Sequence, residues 1–526
     1  MKAVNETIGK YRWTICSLLF FATTINYLDR QVLSLTWKDF IVPEFHWKNN
    51  DYGNITAIFS IVYAVSMLFA GRFVDMLDTK KGFLWAIFVW SLGACLHAYC
   101  GIATSGIVTG KWLVGFEGAI EALGKIGDVG LIASTSVTLF IIARIVLAVG
   151  EAGNFPAAIK TTAEFFPKKD RGLATSVFNA GATVGALAAP LTIPFIAKAF
   201  GWEMSFIIIG FLGFVWMGFW LFMYKKPEVH PKVSKAELAY IQQDDVAVTD
   251  TNQAPKEKIT LGKAFKYKQT WAFAVGKFMT DGVWWFFLFW TPAYLSSVYG
   301  LNTTQSAPQI FTLYLITLLS IIGGWLPTYF VEKKGMNPYA GRMRAMLIFA
   351  FFPLLALLAQ PLGYYSVWIP VIIIGIAGAA HQAWSANIFS TVGDMFPKSA
   401  IATVTGIGGM AGGIGSFLIN KGSGLLFDFT QKNWSTVEGQ PLLNKYPELA
   451  SDATAKVFLE QQAATLHTKI GNIEDLLKAL AKSGVQVTNG INSGYMIIFA
   501  ICSVAYLIGW LIMKTLVPKY KVITDL

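Results

Sequence analysis

Apolar runs of roughly 20 residues, each enough to cross a ~30 Å hydrocarbon layer, recur along almost the whole chain, with polar stretches between them. They predict twelve helices, at 12–37, 52–74, 82–101, 131–152, 172–197, 203–224, 270–298, 308–331, 344–361, 366–395, 401–427 and 493–514. The first run, from Trp13, has no small-residue cleavage site and passes directly into Asn26-Tyr27-Leu28-Asp29-Arg30, so it reads as a spanning helix rather than a leader.

The polar stretches set the organisation. Residues 225–269, rich in Lys, Asp, Glu and Gln, divide the chain into an N-terminal six-helix bundle (1–224) and a C-terminal one (270–526), joined by a cytoplasmic linker. Two polar insertions interrupt the pattern, at about 102–130 and 428–492. With both termini cytoplasmic, the inside loops collect fifteen Lys and Arg against five in the short outside loops, and both insertions fall outside. The halves also echo each other. Glu164-Phe165-Phe166-Pro167-Lys168 returns 230 residues later as Asp394-Met395-Phe396-Pro397-Lys398. Ala174-Thr175 with Gly181 and Gly185 returns as Ala402-Thr403 with Gly409 and Gly413. An internal duplication of this kind places a substrate site between the halves, near the midplane.

Composition agrees. The chain is 54% apolar and 14% charged, against about 25% charged in soluble domains. Its 48 glycines suit close helix packing, and 40 Phe with 18 Trp exclude disorder. The net charge of +11 lies mostly in short loops, so it is topogenic and gives no reason to expect nucleic acid. Cys16, Cys95, Cys100 and Cys502 lie in or beside apolar runs, without metal-ligand spacing or a disulfide framework. The five histidines are scattered, and no nucleophile–base pair or phosphate loop is visible, so neither an enzyme nor a cofactor is expected.

The loop after the second run reads Gly71-Arg72-Phe73-Val74-Asp75-Met76-Leu77-Asp78-Thr79-Lys80-Lys81. A glycine lets helices approach, and an acid can cap a helix N-terminus or pair with a base. Gly71, Asp75, Lys80 and Lys81 are therefore candidates for a conformational latch. The run resembles the loop 2–3 motif of the major facilitator superfamily, with Asp78 in place of the usual second glycine and Thr79 in place of a usual basic residue. That resemblance implies an all-α membrane protein, its twelve transmembrane helices forming two six-helix pseudo-repeats.

Ionisable residues inside the apolar runs cost about 2.5–3.5 kcal/mol each at a helix centre, so they are functional candidates. Asp29 and Arg30 lie in the first run, and Arg144 and Glu151 lie seven residues apart on one face of the fourth. The four charges can neutralise one another in a structural network. They can also divide labour, with a desolvated acid binding and releasing a proton and an arginine offering its planar fork to a carboxylate.

Asn26-Tyr27-Leu28-Asp29-Arg30, Gly150-Glu151-Ala152-Gly153-Asn154-Phe155-Pro156 and Glu164-Phe165-Phe166-Pro167 resemble the anion:cation symporter family, over nearly the full length except the insertions. The resemblance implies an organic-anion carrier driven by protons, with Na⁺ open as an alternative ion. It assigns Arg30 to the substrate carboxylate, Asp29 and Glu151 to protonation, Arg144 to coupling, and Tyr27 and Tyr63 to the site wall. Ala380-His381-Gln382-Ala383-Trp384-Ser385-Ala386-Asn387 is similar to the hexuronate branch of that family, as are Lys277 and Asp281, at i and i+4 on one helix face. This adds His381, Gln382, Trp384, Asn387 and Lys277 as substrate contacts and Asp281 as a further coupling acid. A hexuronate importer follows as the expectation, monomeric and multi-pass in a bacterial cytoplasmic (inner) membrane. A hexonate carrier and a transporter-like nutrient receptor remain as alternatives.

Overall fold

In the computed structural model, which describes residues 8–244, 261–468 and 470–523, the predicted helices form a single bundle. Spans 1–6 are Tyr11–Thr36, Asn49–Leu77, Thr79–Ala98, Val129–Phe165, Lys168–Phe200 and Trp202–Met223. Spans 7–12 are Lys268–Tyr299, Ala307–Lys334, Pro338–Gly363, Trp368–Met395, Lys398–Trp434 and Ile491–Leu516. Among the described residues, nine of these are long and apolar enough to cross a membrane. Spans 1, 7 and 11 are long but less apolar, because they carry polar residues into the interior: Asp29, Arg30, Lys277 and Asn420 are all buried.

Most boundaries move by a few residues, span 9 starting at Pro338 rather than 344, and two differences change the organisation. Span 4 does not end at 152. It runs on as a second helix, Asn154–Phe165, after a break at Ala152–Gly153. Pro156 explains the break, since its ring excludes the carbonyl four residues earlier and it has no N–H to give. Span 11 reaches Trp434, so the second insertion starts later than 428.

Glycines set the closest helix approaches. A Cβ on Gly181 would lie 2.3 Å from the Phe20 carbonyl and one on Gly185 2.5 Å from that of Thr24, so span 5 lies directly on span 1. The echo in the second half is not exact in use. Gly409 faces open space and Gly413 meets Ala64 across the halves, while the equivalent approach to span 7 is made by Gly415, where a Cβ would lie 2.1 Å from the Phe278 carbonyl.

The two halves meet along spans 2 and 11, and span 5 packs on Ala307–Thr317 of span 8. Polar ties concentrate at the end that carries the insertions. Asp428 accepts from the backbone N–H groups of Asn49 (3.0 Å) and Asn50 (2.9 Å), capping span 2 from the opposite half. Lys421 reaches Asn50 and Asn54, and the Tyr52 hydroxyl donates to the Phe289 carbonyl at 2.8 Å.

The second insertion has its own apolar core around Leu449, Phe458, Leu476 and Leu480, under a small three-stranded sheet. Its two longer helices among the described residues are Asp452–Thr465 and Ile473–Lys482. The latter docks on the end of span 1 through a buried ion pair, Lys38 Nζ to Glu474 Oε2 at 2.5 Å. Burial by itself raises the Glu474 carboxyl, but the charges of Lys38 and Lys478 outweigh it and hold the group at about 2. A depressed carboxyl stabilises the docked state above its ordinary pKa and loses that contribution only as pH falls towards the lowered one. The seal should therefore be constant across about pH 5–8. Glu474→Gln should open it, raising labelling of a cysteine placed at Asn54 by an impermeant thiol reagent about tenfold. Unchanged labelling would remove the pair from the gate.

At the other end, where both termini lie, Glu237 of the short helix Lys235–Ile241 accepts from the backbone of Tyr11 and Arg12. This part of the 225–269 stretch thus docks on the start of span 1.

Candidate functional site

Glu151 is placed by glycines. A Cβ on Gly150 would lie 2.2 Å from the Trp90 backbone nitrogen and one on Gly153 2.6 Å from Ala86 Cβ, so span 4 leans closely onto span 3. Glu151 lies between these two glycines and turns to span 1. There it accepts from Arg30 Nη2 at 2.6 Å and Nε at 3.0 Å, both on Oε2, with both side chains nearly or fully buried. The other oxygen, Oε1, has no hydrogen-bond partner among the described residues.

The Arg30 guanidinium is enclosed by rings. Its carbon lies 4.8 Å from the Tyr63 centroid, 5.1 Å from Tyr27, 5.8 Å from Phe59 and 5.1 Å from Trp285. Such contacts contribute about 0.5–2 kcal/mol when desolvated. Trp285 belongs to span 7, so the two halves meet on the arginine itself. Arg144 also lies over Phe59, 5.2 Å from its centroid, with Nε and Nη1 unpartnered among the described residues. Asp29 lies near Trp90, Arg144 and Glu151, but among the described residues neither of its oxygens has a partner in hydrogen-bond geometry. The sequence-predicted charges are therefore together, in unequal roles: Arg30 and Glu151 are paired, while Asp29 and Arg144 are held close without a direct bond.

The second cluster lies on spans 7, 10 and 12. Lys277 and Asp281 form an ion pair at 2.8 Å, and Lys277 also sits 4.3 Å from the Phe389 centroid. Asp281 presses on Gly412, where a Cβ would lie 2.2 Å from its oxygen. His381 stacks flat on Trp284 and hydrogen-bonds the Tyr506 hydroxyl at 2.7 Å. Trp284 and Trp285 are neighbours in sequence, so one dipeptide touches both clusters.

Three predicted contacts on span 10 are placed differently from a shared ligand face. The Asn387 amide donates to the carbonyls of Gly323 and Ala383, both at 2.8 Å, tying span 10 to span 8. Trp384 is fully buried edge-on to Tyr506. His381 is committed to Tyr506. Gln382 is half-buried and makes no hydrogen bond among the described residues. The sequence showed four polar residues on one helix. Their directions follow from the neighbours they meet.

The loop 2–3 residues act within the first half. A Cβ on Gly71 would meet nothing within 4 Å, so that glycine is not needed for close approach. The chain turns at Asp78, with φ +70° and ψ 151°, a region almost reserved for glycine. This is the position where the family motif has one. Asp78 compensates by accepting from the Thr79 N–H at 2.9 Å, capping span 3, and it lies 3.5 Å from Lys226. Lys80 donates to the Leu221 carbonyl at 2.8 Å, and Lys81 is exposed. The Asp75 side chain lies outside the described residues. Sequence reasoning did not single out Trp285, Trp284, Phe59 or Tyr506. The Trp284-Trp285 pair, one turn after Asp281, was the available signal.

The four cysteines are free, and no metal-binding group of His, Cys, Asp and Glu occurs among the described residues. The chain is 28% identical over 426 residues to the hexuronate transporter of Escherichia coli (strain K12), covering 79% of this chain and 88% of that protein. It is 26% identical over 336 residues to the galacturonate transporter of Dickeya chrysanthemi, covering 63% and 86%. Among solved structures, a bacterial homologue of the human lysosomal transporter Spinster, inward-facing and unoccupied, shares the fold. The TM-score is 0.65 at 16% identity, over 96% of this chain and 98% of that one. Residues 19–419 match the Major Facilitator Superfamily across both halves of the bundle. The chain belongs to that superfamily and is a transport protein, not an enzyme.

Proposed function

We propose that this protein imports a sugar-acid anion, a hexuronate such as glucuronate or galacturonate, together with a proton by alternating access. The observation that carries this reading is Arg30, buried between the halves and paired, among the described residues, with Glu151 through one carboxylate oxygen. When Glu151 takes a proton, the guanidinium loses its counter-charge. A neutral sugar would leave it unpaired at a cost of about 3–5 kcal/mol, whereas a carboxylate replaces what was lost. Tyr27, Tyr63 and Trp285 offer flat faces for a sugar ring beside that carboxylate, and Lys277, Asp281 and Gln382 line the second half. Asp29 and Arg144 set the charge that Glu151 meets.

The choice of a uronate is supported by the similarity to the hexuronate and galacturonate transporters. Labelled glucuronate uptake should be competed strongly by galacturonate, less by gluconate and galactonate, and not by glucose. Stronger competition by an aldonate would move the assignment to hexonates, and competition by glucose would overturn the anion argument. Uptake driven by a proton gradient without Na⁺ is the expected coupling.

In this reading residues 1–224 and 270–526 rock about the site in a bacterial cytoplasmic (inner) membrane, as a monomer, with residues 225–269 as a cytoplasmic linker. Both termini face the cytoplasm, so the sealed insertion end is the outer one. Gly71, Asp75, Lys80 and Lys81 then belong to the cytoplasmic latch that forms when the other side opens. Reporters fused near residues 245 and 520 should score cytoplasmic and one near 460 external. An external score at 245 would reverse the topology.

A further inference from the structure

Two asparagines in the motifs have no part in the scheme above. Asn26 lies one turn before Asp29 and Arg30 in span 1, and Asn154 lies three residues after Glu151 in span 4. Both are fully buried, and both amide atoms of each lack a hydrogen-bond partner among the described residues. Span 1 runs away from the termini end and span 4 runs towards it. Each asparagine therefore stands roughly one turn, about 5 Å, on the termini side of the Arg30–Glu151 pair. The helix Asn154–Phe165 also packs against span 1. Both oxygens of Asp29 and Oε1 of Glu151 continue the series of unpartnered atoms. The charged groups around this level are Asp29, Arg30, Arg144 and Glu151.

Buried polar groups in proteins are almost always hydrogen-bonded. A run of orphaned donors and acceptors, reaching from two carboxyls towards one end of the bundle, suits a partner that comes and goes. An amide donates and accepts at once and does not ionise, so it can order water without trapping a proton. We propose that Asn26 and Asn154 form the exit for the coupled proton on the termini side, positioning water that takes it from Glu151 and Asp29. The protonated carboxyl gives its proton to water, the carboxylate re-forms, and Glu151 pairs again with Arg30 as substrate leaves. This inference rests on the symport reading.

The test compares net accumulation with exchange in proteoliposomes, using labelled glucuronate. Asn26→Leu and Asn154→Leu should slow proton-driven accumulation about tenfold or more, less than the ~10²–10⁴-fold that a positioned acid or base supplies, because each asparagine positions water rather than carrying the proton. Exchange and the half-saturating concentration, which need no proton release, should stay within about twofold. Asn26→Ser and Asn154→Ser, whose hydroxyls still donate and accept, should recover most of the loss. They also keep the test open if a leucine variant fails to fold. Wild-type accumulation rates in both leucine variants would overturn the inference alone, as would equal loss of exchange and accumulation in the serine variants. A wild-type protein indifferent to the proton gradient would overturn the symport reading and this inference with it.

Discussion

Arg30→Lys should bind substrate poorly and transport it slowly, although the charge is kept. Arginine donates to Glu151 through two nitrogens at 2.6 and 3.0 Å while its flat face lies between Tyr63, Tyr27 and Trp285. Lysine offers a compact ammonium with no planar fork and no matching stack. A charge-assisted hydrogen bond contributes about 1.5–3 kcal/mol, so losing one should weaken affinity roughly 10- to 150-fold. The fold should survive, because a lysine can still neutralise Glu151. Binding is measured by substrate-induced thermal shift and transport by uptake into proteoliposomes. If Arg30→Lys, or even Arg30→Ala, bound like wild type, the carboxylate role would be wrong.

Glu151→Gln should separate transport from accumulation. An amide cannot cycle its charge, so uphill uptake should fall to simple equilibration, while exchange across the membrane should persist. The structure adds a further expectation. Without the carboxylate the empty protein holds an unpaired buried guanidinium, a penalty of about 3–5 kcal/mol. A substrate carboxylate removes that penalty, so glucuronate should raise the melting temperature of the variant by more than that of wild type. Asp29→Asn should also lose accumulation but without the enlarged thermal shift, because Asp29 has no direct bond to Arg30. Normal uphill uptake by both variants would place coupling elsewhere, with Asp281, already paired with Lys277, next in line.

The contrast between Asp29 and Glu151 shows where sequence reasoning stops. Spacing placed Arg144 and Glu151 on one helix face and Asp29 beside Arg30, enough to expect a neutralising set. It did not say which acid holds which arginine. That was decided by Gly150 and Gly153, which bring span 4 against Trp90 and Ala86 and turn Glu151 to Arg30. The same limit applies on span 10, where Asn387 and Trp384 looked like ligand contacts. One ties span 10 to span 8, and the other fills a space beside Tyr506.

The sequence by itself determined the class of protein and the twelve spans, and it placed the ionisable residues inside them. Hydrophobic length and the cost of burying charge are local properties, which act before any helix meets another. It also put an aspartate, Asp78, where the family motif has a glycine, without fixing the turn that the backbone takes there. Only the tertiary structure decided the partners. Trp285 reaches Arg30 from the other half, Glu474 reaches Lys38 from an insertion 436 residues away, and Asp428 caps span 2 across the interface. Each contact depends on the packing angle and depth of helices far apart in the chain, set by small residues and neighbouring side chains rather than by any repeat in the sequence.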